Sequence, residues 1–232
     1  MRTTRPIALR ARPPGSPEPD LTFVAAAHRA IRQDLGRLAA CLGQVADRGA
    51  KPARARAIYR YTEALLAAVR AHHENEDDLI WPLIAASAGQ AVDLIPLADD
   101  HQAIEAAVGR ASDALACFRA DPGLCAELHK SVSELRDMVD EHIADKERQI
   151  VPAMLRFLSA ESCRWCEKQI QRRASRPGQR FSAPWLARYA QPDELRRLLA
   201  GRGWRARIRL AAARPGYARL ERRAFGTKPA PP

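Results

Sequence analysis

Apolar residues recur at intervals of three and four along four long stretches of the chain. The stretches span roughly residues 22–46, 53–86, 91–119 and 123–159. In the first of them the repeat runs through Ile31, Leu35, Leu38 and Leu42. Such steps place one apolar stripe along each helix and leave the opposite face polar. The pattern predicts four amphipathic α-helices that pack their stripes together.

Residues that begin, end or bend helices flank these stretches. Thr22 is suited to cap the first helix, and Gly49 followed by Pro52 is suited to end it. Pro82 lies in the last turns of the second stretch, where it predicts a kink. Four helices joined by short connections predict an all-α fold, an up-down-up-down four-helix bundle with a short basic helical extension at the C-terminus.

Composition bears on the cellular location of the protein. The chain contains no run of about 18 apolar residues, so we expect no transmembrane helix and no membrane association. Residues 1–20 are basic and then Pro-rich and contain no apolar signal segment, which predicts a disordered leader. The five cysteines are odd in number and lack framework spacing, which predicts a reduced, cytoplasmic protein.

Charge divides the chain into two parts. The whole chain has a formal net charge of +11, yet residues 161–232 contain 18 Lys and Arg against 5 Asp and Glu. Residues 1–160 contain 20 against 22. The distribution predicts a near-neutral bundle over residues 21–160 and a separable basic, partly helical extension over 161–232.

Four histidines stand on the predicted core faces, one on each helix. They are His28, His72, His101 and His142. A buried imidazole is costly unless it is hydrogen-bonded or binds a metal. Glu76 follows His72 by four residues and lies on the same stripe, whereas the equally spaced His73 and Asp77 lie one residue off it. The set predicts a metal site inside the bundle.

The fourth helix leaves the choice of a second carboxylate open. His142 and Glu147 are five residues apart, about 500° of helix, so their side chains diverge by about 140°. Asp145 points away from the stripe, and Lys146 falls near its middle with no apparent reason. Even so, His72 and His142 are each followed by a carboxylate and then, after ten residues, by a proline. This repeat predicts an internal pseudo-twofold that brackets two metal ions.

Taken in order, these residues resemble the hemerythrin-like (HHE cation-binding) family over about residues 20–160. The resemblance implies a non-haem di-iron centre with two Fe ions. Its terminal ligands would be His28, His72, His101 and His142. The resemblance also selects Glu147, with Glu76, as the carboxylates that bridge the irons.

One position departs from the oxygen-carrying members of that family, which have a second histidine one turn after the third-helix ligand. Here that residue is Glu105, so Glu105 and His73 are the candidates for an additional ligand or for a partner of a ligand. A carboxylate favours the oxidised metal, which argues against reversible O2 carriage. We therefore expect a protein that binds or senses O2, NO or peroxide. The alternatives are a di-iron peroxidase or NO-handling enzyme, and a metal-switched regulator that contacts nucleic acid.

The extension adds two further candidates. Cys163 and Cys166 form a lone CxxC motif, for which a redox role is the less favoured interpretation. Beyond a short helix predicted to begin at Pro192 and to end at Gly201, arginines alternate with Trp204 and Tyr217. This composition suits weak contact with a polyanion, although we favour a helical appendage that packs on the bundle and exposes a basic face.

Overall fold

The computed structural model describes residues 12–13, 15–200 and 202–226. Every regular element in that part of the chain is helical, which confirms the predicted all-α class. Most of the predicted leader, residues 1–20, lies outside the described residues, as does Gly201. None of the described helices is both long enough and apolar enough to cross a membrane.

The first helix follows its predicted stretch closely, whereas the second predicted stretch is divided in two. Beyond Phe157 the described chain forms four further helices. The α-helices are α1 Thr22–Arg48, α2 Pro52–Asn75, α3 Trp81–Ala88, α4 Ile95–Ala120, α5 Cys125–Phe157, α6 Ala160–Arg173, α7 Arg176–Tyr189, α8 Pro192–Ala200 and α9 Gly203–Phe225. A π-helical turn, Glu76–Ile80, joins α2 to α3, and two 3₁₀ turns precede α4 and α5.

The predicted second helix is interrupted because of Pro82. Proline has no N–H to donate to the carbonyl of Asp78, and its ring would collide with that carbonyl in a regular α-helix. The chain responds with a wider turn, in which the Trp81 N–H donates to the carbonyl of Glu76. Wide turns of this kind are frequent at functional sites. The turn contains Glu76, the carboxylate that the sequence placed on the apolar stripe.

The apolar stripes meet in two buried clusters, of which the larger lies among the helices described next. Helix α1 packs on α5, α5 on α4, and α4 on α2. Helix α7 packs on both α1 and α2, and α9 packs on α2 and α7. Four side chains of α7 and α9 belong to the same buried cluster as the stripes of the first four predicted helices. They are Phe181, Trp185, Tyr217 and Ala224.

A buried carboxylate ties the extension to α1. Asp34 is fully buried and accepts hydrogen bonds from the hydroxyls of Tyr61 and Tyr189, both at 2.7 Å, and from Nε1 of Trp185 at 2.9 Å. Nε of Arg37 lies 3.1 Å from the same carboxylate. Burial raises the pKa of Asp34 above its usual value, and Arg37 and the donated hydrogen bonds offset this effect only in part.

Helices α7 and α9 thus contribute aromatic side chains to the larger buried cluster, which agrees with an appendage that packs on the bundle and gives no support to a separable extension at these two helices. The charge jump near residue 160 does not mark an end of packing. Part of the excess positive charge lies instead on the first turns of α9, where Arg205, Arg207 and Arg209 are exposed.

Candidate metal centre

Five histidines and one carboxylate converge inside the bundle. They are His28 of α1, His72 and His73 of α2, Glu76 of the π-helical turn, His101 of α4 and His142 of α5. All are buried except His72, whose side chain is 14% exposed. Their potential ligand atoms form two overlapping groups, and Glu76 is common to both.

The larger group consists of His73, Glu76, His101 and His142. Nε2 of His101 lies 3.0 Å from Nε2 of His142 and 3.3 Å from Oε2 of Glu76. Nε2 of His73 is buried without a hydrogen-bond partner. Three imidazoles and one carboxylate make a donor set that suits first-row transition metals such as iron.

Carboxylates outside this group orient two of its imidazoles. Oδ1 of Asp77 lies 2.7 Å from Nδ1 of His101, and Oδ2 of Asp100 lies 3.1 Å from Nδ1 of His142. When a neutral ring donates its Nδ1 proton to such a carboxylate, its Nε2 presents a lone pair to the interior. Two lone pairs that face each other across 3.0 Å repel unless a cation lies between them. The geometry of this group thus fits a bound cation.

The smaller group contains His28, His72 and Glu76. Nε2 of His72 lies 3.4 Å from Oε1 of Glu76, and Nε2 of His28 lies 4.0 Å from the same oxygen. Nε2 of His28 is buried and has no hydrogen-bond partner. Two imidazoles and a shared carboxylate are fewer donors than the larger group offers.

Glu147 does not join either group. Its side chain is 44% exposed, and Oε1 lies 3.3 Å from Nδ1 of His28, while Oε2 lies 3.3 Å from Arg32. The position differs from the bridging role implied by the resemblance. The reason is the five-residue spacing, which turns Glu147 about 140° away from His142 on α5. Its observed contact is with the outward nitrogen of His28.

Lys146 lies where sequence reasoning expected no functional residue. Its side chain is 1% exposed, and Nζ donates to both carboxylate oxygens of Glu76, at 2.7 and 2.9 Å. Nζ also lies 3.3 Å from Nε2 of His72. A buried ammonium requires a carboxylate partner, and Glu76 supplies it. The available clue was spacing, because Lys146 follows His142 by four residues, as Glu76 follows His72.

Burial lowers the pKa of two imidazoles of the larger group, His73 and His142, and so favours the neutral form that binds metal. It lowers the pKa of His142 to about 4, assisted by the positive charge of Lys146, and it lowers the pKa of His73 still further. Burial alone would raise the pKa of Glu76, but His72 and Lys146 outweigh that effect and lower the pKa well below its usual range. Neutral imidazoles beside an ionised carboxylate are ready to bind a cation.

The other candidates lie elsewhere. Glu105 is a surface residue whose side chain is 56% exposed and pairs with Nε of Arg70 at 2.9 Å. Cys163 and Cys166 are buried in an apolar cluster that includes Leu79 and Met154. Burial raises the pKa of Cys163 to about 12 and that of Cys166 to about 11, so both remain protonated thiols. Such an environment does not favour a reactive dithiol.

Comparison with known protein families gives one match. A family model described as the hemerythrin HHE cation binding domain matches residues 20–154, more than half of the 232-residue chain. The matched range contains the five histidines, Glu76 and Lys146. No curated protein and no solved structure matches the chain.

Proposed function

Because the chain belongs to the hemerythrin HHE cation-binding domain family, we propose that it is a non-haem iron protein whose iron binds or senses O2, NO or peroxide. The observation that supports this most directly is the pair of inward-facing Nε2 atoms of His101 and His142, 3.0 Å apart. Two neutral rings whose Nδ1 protons face the orienting carboxylates have no proton on Nε2 to donate. A metal ion between the two Nε2 atoms would satisfy both.

The larger group would hold the iron through His73, Glu76, His101 and His142. Helices α2, α4 and α5 and the π-helical turn would place these ligands. Together with α1, these helices would be the members of an up-down-up-down four-helix bundle. When bound, iron with four protein ligands supplies open positions and redox chemistry for a small ligand. A second ion, as in the di-iron centre that the resemblance implies, would need the space near His28 and His72 that Lys146 fills.

The protein's own contribution is orientation and exclusion of water. Asp77 and Asp100 hold two ligand rings by their outer nitrogens. The indole of Trp81 stacks on the ring of His101, with centroids 5.6 Å apart and planes 29° apart, and both side chains are buried. Ligand rings that are held in place by buried neighbours would exclude bulk water from the metal and favour a small uncharged ligand there.

Replacing His73 tests the composition of the larger group. We expect His73→Ala to lose iron, because Nε2 of His73 is the one ligand atom of that group with no other partner. Loss of an outer partner of a ligand costs about 10–100-fold in metal affinity, and loss of a ligand costs at least as much. Metal analysis of the purified protein and competition with a chelator give the measurement.

His129→Ala is the matched control, since His129 packs near Gly43 and lies outside both groups. It should retain wild-type iron content. Full iron occupancy in His73→Ala would exclude His73 as a ligand.

The ligand class is tested on iron-loaded protein by adding O2, NO and hydrogen peroxide separately and recording absorption spectra. A stoichiometric spectral change supports binding or sensing. Consumption of many equivalents of peroxide or NO per iron would instead identify the alternative, a peroxidase or NO-handling enzyme. No spectral response to any of the three would exclude the proposed ligand class.

We also propose that the exposed first turns of α9 contact polyanions weakly. Trp204 and Ile208 are 66% and 56% exposed there, and Arg205, Arg207 and Arg209 are exposed in the same turns. Arginines attract phosphates, and an exposed indole offers a stacking surface. Neither ligand group contains a residue of α9.

Substituting Arg205, Arg207 and Arg209 together with Ala should weaken binding to duplex DNA at low salt. The plot of log affinity against log salt should become shallower by up to about 3, roughly one unit for each lost phosphate contact. Equilibrium binding across a salt series measures this slope. A triple variant at the exposed Arg56, Arg60 and Arg110 removes equal charge elsewhere. Equal effects of the two variants would show that only net charge matters.

A further inference from the structure

The two halves of the metal centre are related by an internal repeat. His72 and Glu76 in one half correspond by spacing to His142 and Lys146 in the other. The correspondence extends to contacts. Asp77, five residues after His72, lies against Nδ1 of His101. The other half of the centre contains a corresponding contact.

In the other half, Glu147 follows His142 by five residues and lies against Nδ1 of His28. Asp77, which follows Glu76, thus orients His101. Glu147, which follows Lys146, orients His28 in the same way. Glu147 is the counterpart of Asp77, an orienting group, and the counterpart of the ligand Glu76 is Lys146. The pseudo-twofold is present in the geometry as well as in the sequence.

Only one half retains a full set of ligands. Under the repeat, the group His73, Glu76, His101 and His142 corresponds to Ile143, Lys146, His28 and His72. The fully buried Ile143 stands at the position that corresponds to the third imidazole, and the ammonium of Lys146 stands at the position that corresponds to the carboxylate. Asp100, which orients His142, has Ala27 as its counterpart, so His72 lacks the equivalent partner.

We infer that the centre holds a single metal ion, in the four-residue group, and that the ammonium of Lys146 takes the place of a second ion. This inference rests on the proposed cation site and specifies its stoichiometry. Nζ of Lys146 contacts Glu76 at 2.7 and 2.9 Å and His72 at 3.3 Å, the residues that a second ion would need. A second cation beside a buried ammonium would be repelled strongly at low effective dielectric.

Titration of the metal-free protein with Fe(II) under anaerobic conditions tests the stoichiometry, with Co(II) as a second probe. We expect binding to saturate at one equivalent per chain. After oxidation the ferric protein should show the resonance of an isolated high-spin ion, whereas a coupled pair of ferric ions is silent in conventional electron paramagnetic resonance. Neither measurement depends on catalytic activity.

The variant Lys146→Glu restores a carboxylate at the repeat position and should raise the capacity from one equivalent to two. Lys130→Glu is the control, because it makes the same charge change at an exposed position of the same helix; it should stay at one. Because Lys146→Glu places two carboxylates together in the metal-free protein, its folding is checked by circular dichroism in the presence of metal.

The wild-type titration decides the matter even where that variant does not fold. Two equivalents in the wild type, with a silent ferric spectrum, would overturn the inference and leave the proposed iron site standing; Nε2 of His28 would then be a ligand after Lys146 had moved aside. No binding of either metal would overturn the inference and the proposed function together. If the wild type binds one equivalent and His28→Ala abolishes that binding, the ion lies in the half that contains His28. This result would also overturn the inference.

Discussion

Glu76→Ala is expected to lose all bound iron and to unfold at lower denaturant concentration even without metal. Glu76 is the carboxylate common to both ligand groups, so neither group retains an oxygen ligand when it is removed. The same change leaves the ammonium of Lys146 buried without its partner. Breaking a buried ion pair in this way costs about 3–5 kcal/mol. Metal analysis and urea denaturation of the metal-free protein measure the two effects separately.

The two losses have different causes, and a double variant distinguishes them. Glu76→Gln combined with Lys146→Met removes both charges, and replacing a buried ion pair by uncharged groups is often neutral or stabilising. It should recover stability without recovering iron. Glu105→Ala is the matched single control, because the exposed pair of Glu105 with Arg70 contributes about 0–1 kcal/mol. Iron retention in Glu76→Ala would remove Glu76 from the ligand set.

Trp185→Ala is expected to destabilise the protein by about 3–5 kcal/mol, the usual cost of truncating a buried large aromatic side chain. Trp185 is 3% exposed, stacks with Phe181, and donates to the buried carboxylate of Asp34. The variant therefore opens a cavity and removes a hydrogen bond from Asp34. Chemical denaturation, followed by circular dichroism, provides the measurement.

Trp204→Ala is the control for this change, because Trp204 is 66% exposed on α9. Surface substitutions usually change stability by less than about 0.5 kcal/mol. Similar losses in the two variants would show that the packing of α7 on α1 and α2 contributes little. The same packing makes a fragment of residues 20–160 a poor candidate for an independent domain, since it would expose the aromatic contacts of Tyr61 with Phe181 and Tyr217.

Local patterns were sufficient to predict the elements and most of the buried site. Helix periodicity depends on side chains three and four residues apart, and that spacing is visible in the chain itself. His28, His101 and His142 stand on the apolar stripes, and the structure buries all three. The kink at Pro82 followed from a missing N–H. The stripes alone did not assign His73 or Lys146 to the site: His73 lies one residue off its stripe, beside the π-helical turn, and Lys146 lies near the middle of its stripe with no apparent role.

The bridging role implied for Glu147 and the separation of the basic extension could not be judged from local pattern. Each depends on which surface a side chain meets across the bundle, and that is set by packing between helices far apart in sequence. Charge composition at residues 161–232 predicted the exposed arginines of α9. It carried no information about the few aromatic side chains that turn inward, because a net charge counts residues without regard to direction.

By itself, the sequence determined the helices, their apolar faces and the presence of a histidine-rich interior, because these follow from spacing along one chain. Only the tertiary structure decided what each of these residues does. It brought Lys146 onto Glu76, turned Glu147 out to His28, and closed the core with Trp185 of α7. The physical reason is the short range of the forces involved: hydrogen bonds, ion pairs and metal ligation act over about 2–4 Å, and only folding sets distances on that scale between separate helices.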